Sequence, residues 1–387
     1  MKESPASIAF LFENVVDYQV PRLLAARAAL AASGTSMTVI ELFGEQNVYA
    51  HRQKATQDAR QGFGQTMLTL EPAVVEQEAG MAQRFRAGLR ALDIVRRQRP
   101  AVVFSYGYHF PAVWLLILWK LLAGGPRLVL MTDSKQDDGV RQSWKEALKK
   151  LIVRNFDAAL VAGKKHVDYV TRLGVPAGRA LVGLDVVDNR KFLELCGDAR
   201  KPQDGAPVVV LYLGRLVRKK RVDVLIDAYA ALPDEVRGRA VLRIVGSGEE
   251  EAALRTQAQV TGAPGIEFLG HADSMAVPAL MASADILVLP SDFDQWGLVV
   301  NEALLARNAV IVTSGCGVVD ELVLDRQTGL VVPPGDVPAL SRALQAVIAD
   351  PLLRESLIAA GHERVLRYSP ERFGDSVVQL AGLLNQF

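Results

Sequence analysis

The sequence predicts an α/β protein built from two domains, each a doubly wound parallel sheet. Three observations carry this expectation. Short apolar runs ending at Gly, Pro or polar residues recur along the chain, each followed by helical spacing, as parallel strands joined by crossover helices require. A strand at 8–12, a helix at 21–32 and a strand at 37–42 form the opening unit of such a sheet. A polar break containing Pro and Gly at 197–206 then interrupts the alternation, which restarts at 208–213.

At 387 residues the chain is long enough for two domains of ordinary size. Half of its residues are apolar and 22% are charged, the balance of a globular chain. A net charge of +1 gives no overall attraction to nucleic acid or to an anionic membrane. Cys196 and Cys316 supply neither a disulfide framework nor metal-ligand spacing. The apolar run at 8–12 is too short for a signal peptide, and the apolar stretch 112–122, interrupted by Lys120, falls short of a membrane span. The expectation is a cytoplasmic protein.

In the first domain, the strand at 8–12 leads into a polar loop, Glu13 to Gln19, where Asn14 and Asp17 are candidate acceptor contacts or simply solvated residues. Pro21 suits a first helical turn, whose N–H has no partner in any case. Residues 47–64 read as loop and short helix, and 74–98 as helix. A strand at 101–105 ends at Tyr106-Gly107-Tyr108-His109. Ligands bind at the carboxyl ends of parallel strands, which makes His109 a candidate polar contact or base; a structural hydrogen-bonding His is the plainer reading. The strand at 127–131 ends at Thr132-Asp133-Ser134. Thr132 joins the acceptor candidates, and Asp133 can accept from sugar hydroxyls or take an acceptor proton, unless it caps a helix. A helix at 141–156 carries Arg141, Lys145, Lys149, Lys150 and Arg154. That face is either solvated or a peripheral contact with anionic headgroups on the inner side of a membrane. A strand at 158–161, a helix at 167–173 ended by Gly174, and a strand at 180–187 complete the domain.

The second domain opens with the strand 208–213, the segment Gly214-Arg215-Leu216-Val217-Arg218-Lys219-Lys220-Arg221 and a helix at 222–232. A strand at 241–245 ends in Gly246-Ser247-Gly248, which lacks the third Gly and the ribose-binding acid of a dinucleotide fingerprint. Strand 266–268 with Gly270, strand 286–289, helix 298–307 with Asn308 as a left-handed stop, and strand 310–312 follow. Helices at 338–348, 351–368 and 370–384 close the chain.

The most informative stretch is 285–335. Asp294 stands just before the 298–307 helix and Glu302 lies eight residues later, in its second turn. Between them the helix start at Gly297, Leu298 and Val299 offers unpaired N–H groups and the positive end of its dipole, a natural seat for a diphosphate. A carboxylate on either side suits hydroxyl-rich groups, which donate to it in pairs. On spacing alone, a helix-start Asp and a surface Glu fit equally well.

The segment Pro290-Ser291 to Trp296-Gly297-Leu298 and on to Glu302-Ala303 resembles the paired-acid motif of retaining glycosyltransferases with the GT-B fold, in particular glycosyltransferase family 4. Asp294 stands where that family usually has Glu and Trp296 where it has Phe. Gly214-Arg215-Leu216 with Lys220 is similar to a second family motif, and the resemblance covers most of residues 205–335. It implies two Rossmann-like domains facing across a cleft, bounded at 1–196 and 207–368 around a linker at 197–206, with the helix at 369–387 crossing back to the first domain. It further implies that Arg215 and Lys220 hold the diphosphate as charge builds on the leaving group. Glu302 would then hold the ribose and Asp294 the donor sugar, while Gly246, Gly248 and Gly270 make room for the nucleotide and Gly315 to Gly317 offer N–H groups near the sugar. The expected co-substrate is a UDP- or GDP-sugar, with a saccharide or lipid-linked saccharide as acceptor. No cofactor or metal is expected, because the helix dipole and two cations meet the phosphate charge. The Gly-rich turn common after the family's first strand is missing here, as is the His that relatives carry at the 132–134 tip. Arg218, Lys219 and Arg221 read as surface residues. Two rival readings stay open: Asp292-Phe293-Asp294 as a metal-binding Asp-x-Asp triplet, and a nucleotide-sugar epimerase or non-catalytic sugar-nucleotide-binding subunit of the same architecture.

Overall fold

A computed structural model describes residues 7–45, 62–139, 141–197 and 205–385. The expected loop at 47–64 and the expected linker at 197–206 fall largely outside those residues. The chain divides into two compact units, the first within Met1–Gln136, Val140–Val186 and Pro370–Phe387, the second within Asp137–Gly139 and Val187–Ser369.

In the first unit the strands are β1 (Ser7–Phe12), β2 (Ser36–Glu45), β3 (Met67–Val75), β4 (Val102–Tyr106), β5 (Arg127–Thr132), β6 (Ala158–Val161) and β7 (Ala180–Val182). They pair in the order β3-β2-β1-β4-β5-β6-β7, every pairing parallel. The helices are α1 (Val20–Ala32), α2 (Met81–Gln98), α3 (Pro111–Ala123), α4 (Ser143–Val153) and α5 (Lys164–Arg172). Order reverses about β1, with β2 on one side and β4 on the other, the arrangement that opens a crevice at the strand tips. Alternate residues of the central strands face opposite layers. Ala9 and Leu11 join the core with α2 and α3, whereas Phe10 stacks on Phe104 at 4.9 Å and meets Phe373 on the other side.

The last helix, α14 (Pro370–Asn385), packs against α1 in this unit. Gly374 makes the approach possible, since a Cβ there would lie 3.0 Å from the Ala25 carbonyl oxygen. A return of the last helix to the first domain is thus observed, as the resemblance implied.

The expectation of helix from residue 74 is corrected: 67–75 is strand β3 and the helix begins at Met81. Pro72 broke the strand pattern in sequence, yet β3 lies at the sheet edge, where a missing donor is tolerated. Gly44 admits it, because a Cβ there would sit 2.3 Å from the Pro72 carbonyl oxygen.

In the second unit β8 (Val208–Leu213), β9 (Ala240–Val245), β10 (Ile266–Gly270), β11 (Ile286–Leu289), β12 (Ala309–Thr313) and β13 (Leu330–Val332) pair in the order β10-β9-β8-β11-β12-β13, again all parallel. Its helices are α6 (Asn189–Cys196), α7 (Val222–Ala230), α8 (Asp234–Arg237), α9 (Glu251–Thr261), α10 (Val277–Ala282), α11 (Leu298–Leu305), α12 (Val337–Ala349) and α13 (Pro351–Val365). Helix α6 belongs here although sequence analysis assigned it to the first domain. Asp188 caps it by accepting from the Lys191 N–H at 3.1 Å, and the buried Cys196 thiol donates to the Pro278 carbonyl at 3.6 Å. Asn308 is not the left-handed stop of α11. Arg307 takes that conformation at φ 60°, and Asn308 is buried, donating to the Met281 and Ala284 carbonyls.

Candidate active site

The second unit gathers most of the predicted site at the carboxyl ends of β8 and β11. β8 exits into Gly214-Arg215-Leu216, and the β9 exit, Gly246 to Gly248, lies backbone to backbone on it. A Cβ at Gly246 would fall 1.8 Å from the Gly214 carbonyl oxygen, and one at Gly248 2.2 Å from that of Leu216. The space these glycines leave is taken by the 214–216 loop, which donates the Leu216 N–H to Ser247 at 2.8 Å and accepts the Glu250 N–H at 3.0 Å. Gly270, in the left-handed region at φ 71°, presents its carbonyl to the Gly246 N–H at 2.7 Å. All three glycines therefore shape the loop that bears Arg215.

That loop has an anchor that sequence analysis missed. The buried Tyr212 hydroxyl donates to the Arg215 carbonyl at 2.8 Å. Burial, and next Asp294, push the Tyr212 phenol far above its ordinary pKa, so it stays protonated. The exposed Arg215 guanidinium makes no ion pair with any described residue.

Lys220 ends a short 3-10 turn and forms an ion pair with Asp294, the two side chains 14% and 16% exposed. The expected partners of diphosphate and sugar thus hold each other. Arg221, expected at the surface, is 28% exposed and also acts as a structural clamp. It takes the left-handed region at φ 49°, grips Asp223 at 3.0 Å and reaches Asp292 at 2.9 Å. The hydrogen bonds to Asp223 lead in raising its pKa further above an already high value. The Asp292-Phe293-Asp294 triplet is accordingly split between Arg221 and Lys220. Among the described residues no three His, Cys, Asp or Glu side chains converge into a metal-binding group. Lys219 lies over the Phe293 ring at 5.1 Å.

The acidic loop is locked from behind. Asp294 accepts the Gly317 N–H at 3.0 Å and donates its own N–H to the Gly315 carbonyl at 3.2 Å. A Cβ at Gly317 would lie 1.8 Å from the Gln295 carbonyl oxygen, and one at Gly315 2.1 Å from that of Asp292. These glycines therefore pack the loop against its neighbour, and the Gly317 N–H is used within the protein. Beneath, the buried Trp296 indole donates to Asn301 at 2.9 Å, tying the loop to the helix it precedes. Gly297 enters α11 at φ 107°, and no side chain caps the helix start at Leu298 and Val299. Glu302 is half-buried on α11, close enough to Cys196 to help burial raise that thiol to about 11.

The first unit disperses its candidates. Asn14 turns inward, donating to the Phe43 carbonyl at 2.8 Å, because β2 lies alongside. Asp17 begins a one-turn 3-10 helix. Thr132 is buried, and its hydroxyl accepts the Ser134 N–H at 3.2 Å. Asp133 caps no helix, since α4 starts only at Ser143; it lies near Tyr106, whose phenol burial holds far above its ordinary pKa. His109 donates through Nε2 to Glu13 at 2.8 Å, and Arg84 pairs with the same buried carboxylate. The Glu13 hydrogen bond leads in raising the His109 pKa above 6.5, against desolvation and Arg84. No sequence motif announces this Glu13–His109–Arg84 group; it forms because β1 and β4 are neighbours and both strand tips end there.

The chain thus has two Rossmann-like units, the second carrying an uncapped helix start and the Lys220–Asp294 pair. Comparison makes the class definite. The sequence pattern of glycosyl transferases group 1 matches residues 198–364. A glycogen synthase of Mycobacterium tuberculosis is 31% identical over 296 residues, spanning 72% of this chain and 68% of its own. A phosphatidyl-myo-inositol mannosyltransferase of Mycobacterium leprae is 38% identical over 164 residues, 41% of this chain and 42% of its own. Among solved structures, Anabaena HepE in complex with UDP superposes with a TM-score of 0.71 at 17% identity, covering 98% of this chain and all of that one. This chain belongs to the glycosyl transferases group 1 family, and its fold is the GT-B fold of such enzymes.

Proposed function

We propose that this protein is a retaining glycosyltransferase that moves a sugar from a nucleoside-diphosphate sugar to a hydroxyl of a saccharide or lipid-linked saccharide. The observation that carries this reading is the unpaired Arg215 beside the Lys220–Asp294 pair, in the unit whose α11 starts uncapped. An incoming diphosphate would meet the α11 N–H groups and Arg215, and would draw Lys220 away from Asp294. Both cations then oppose the charge that grows on the leaving diphosphate as the glycosidic bond to the donor breaks. The released Asp294 is free to accept from donor-sugar hydroxyls, and Glu302 from the ribose. In a retaining transfer the acceptor oxygen forms its bond on the face the diphosphate leaves, and its proton passes to a departing phosphate oxygen. That route needs no protein base. Metal-free catalysis is supported by the engagement of Asp292 with Arg221. The UDP complex of HepE favours a uridine donor.

The test is thermal stabilisation by UDP, GDP, ADP and their sugars in EDTA, followed by NMR of the product's anomeric configuration. Stabilisation by one diphosphate family, lost in Glu302→Ala, and a product of unchanged configuration are expected. An inverted product overturns the retaining mechanism, and stabilisation only with added Mg²⁺ or Mn²⁺ overturns the metal-free one.

A further inference from the structure

We propose that the outward face of α2, α3 and α4 is a docking surface for an anionic lipid bilayer. The proposal rests on the first unit alone and goes beyond the donor reading. These helices share one core layer: Ala87 and Ala91 of α2, Val113 and Leu116 of α3, and Val153 of α4 are buried in it. Helix α3, however, is apolar all round except for Lys120, which pairs with Asp157. Opposite its buried side, Trp114, Leu118, Leu121 and Leu122 are exposed, Leu122 by 77%. A helix of that composition belongs inside a protein or against lipid, and the described residues cover only one side of it. On α4, Trp144, Leu148 and Leu151 repeat at helical spacing opposite the buried Val153, each at least half exposed. On α2, Met81, Phe85 and Leu89 are exposed at a spacing of four residues. So many exposed large apolar side chains on three helices of one core layer mark an interaction site.

Charge chooses the occupant. Residues 81–99, 111–123 and 141–154 hold twelve Lys and Arg and two acids, Asp93 and Glu146, in a chain whose net charge is +1; three of the cations pair with acids outside these segments, Arg84 with Glu13, Arg90 with Glu71 and Lys120 with Asp157. The two acids are already engaged, Asp93 with Arg97 and Glu146 with Arg141 and Lys149. Arg86, Lys145 and Lys150 are exposed and make no ion pair with a described residue. Trp and Leu flanked by exposed cations is the pattern of helices lying in a headgroup layer. A second copy of the chain would bring like charges together across a two-fold contact. Helix α3 has 13 residues, about 20 Å of helix against a hydrocarbon core of about 30 Å, so it would lie on the bilayer and not cross it.

The experiment is co-sedimentation of the full chain with vesicles of phosphatidylcholine, with or without phosphatidylglycerol. Binding only to the phosphatidylglycerol vesicles, weakened by salt, is expected. Lys145→Gln with Lys150→Gln should weaken it about thirty-fold, from about a factor of five per cation. Leu118→Ser with Leu122→Ser should abolish what salt leaves. Both double variants should retain the parent's melting temperature and nucleotide response, which separates this proposal from the donor reading. The proposal is overturned if folded parent ignores phosphatidylglycerol vesicles, if the variants bind like the parent, or if light scattering finds a dimer that the leucine variant dissociates.

Discussion

Replacing Asp294 by Asn removes one charge from the Lys220–Asp294 pair while keeping the side chain's shape. The two side chains are 14% and 16% exposed, so the pair is shielded from solvent more than a surface bridge and less than a core one. A coupling of about 1.5 kcal/mol lies between the values for exposed pairs and for close interfacial charge pairs. A diphosphate can use Lys220 only by displacing the carboxylate, so Asp294→Asn should bind UDP, or whichever diphosphate stabilises the parent, about tenfold more tightly. Transfer should move the opposite way. Loss of a charged acceptor for sugar hydroxyls costs about 1.5–3 kcal/mol, about a tenfold to hundredfold fall in kcat/KM. Lys220→Gln should weaken both diphosphate binding and transfer. Isothermal titration with the diphosphate and a radiolabelled-sugar transfer assay read the two quantities, with circular dichroism checking the fold. Diphosphate affinity that is unchanged or reduced in Asp294→Asn would refute the idea that the carboxylate competes for Lys220.

Gly317→Ala places a Cβ 1.8 Å from the Gln295 carbonyl oxygen. The acidic loop must then part from its neighbour at a cost of about 2–4 kcal/mol, read as a melting temperature lower by at least about 4 °C and weaker nucleotide stabilisation; an unchanged melting curve would deny the close packing. His109 donates to Glu13 and its pKa is raised above 6.5. Its bond therefore contributes fully below about pH 6.5 and fades as pH climbs through the raised value. The stability difference between parent and His109→Gln should be larger at pH 6 than at pH 9, and small throughout because the ring is 69% exposed. An NMR titration midpoint for His109 at or below 6.5 would contradict the Glu13 bond.

Much of the second unit was legible because its site is local in sequence. Asp294, Gly297 and Glu302 lie within one strand-loop-helix passage, and Arg215 and Lys220 within another, so spacing alone puts each group at a strand tip. What spacing cannot reveal is which loop lies on which. Gly246, Gly248, Gly315 and Gly317 invited a ligand-facing reading, yet each is Gly because another loop's carbonyl occupies the place of its side chain. The same limit hid the division of Asp292 and Asp294 between two cations, since those partners are 71 and 74 residues apart. In the first unit the candidates sat at strand tips, but their partners came from neighbouring strands: Phe43 for Asn14, Glu13 for His109. Helix α3 shows the opposite case. Its sequence was read as too short and too interrupted to span a membrane, and that holds for the described residues. Apolar periodicity cannot separate a helix buried on all sides from one buried on one side only. That distinction needs the sheet beneath it, and here the sheet covers one side while Trp114, Leu118, Leu121 and Leu122 face outward.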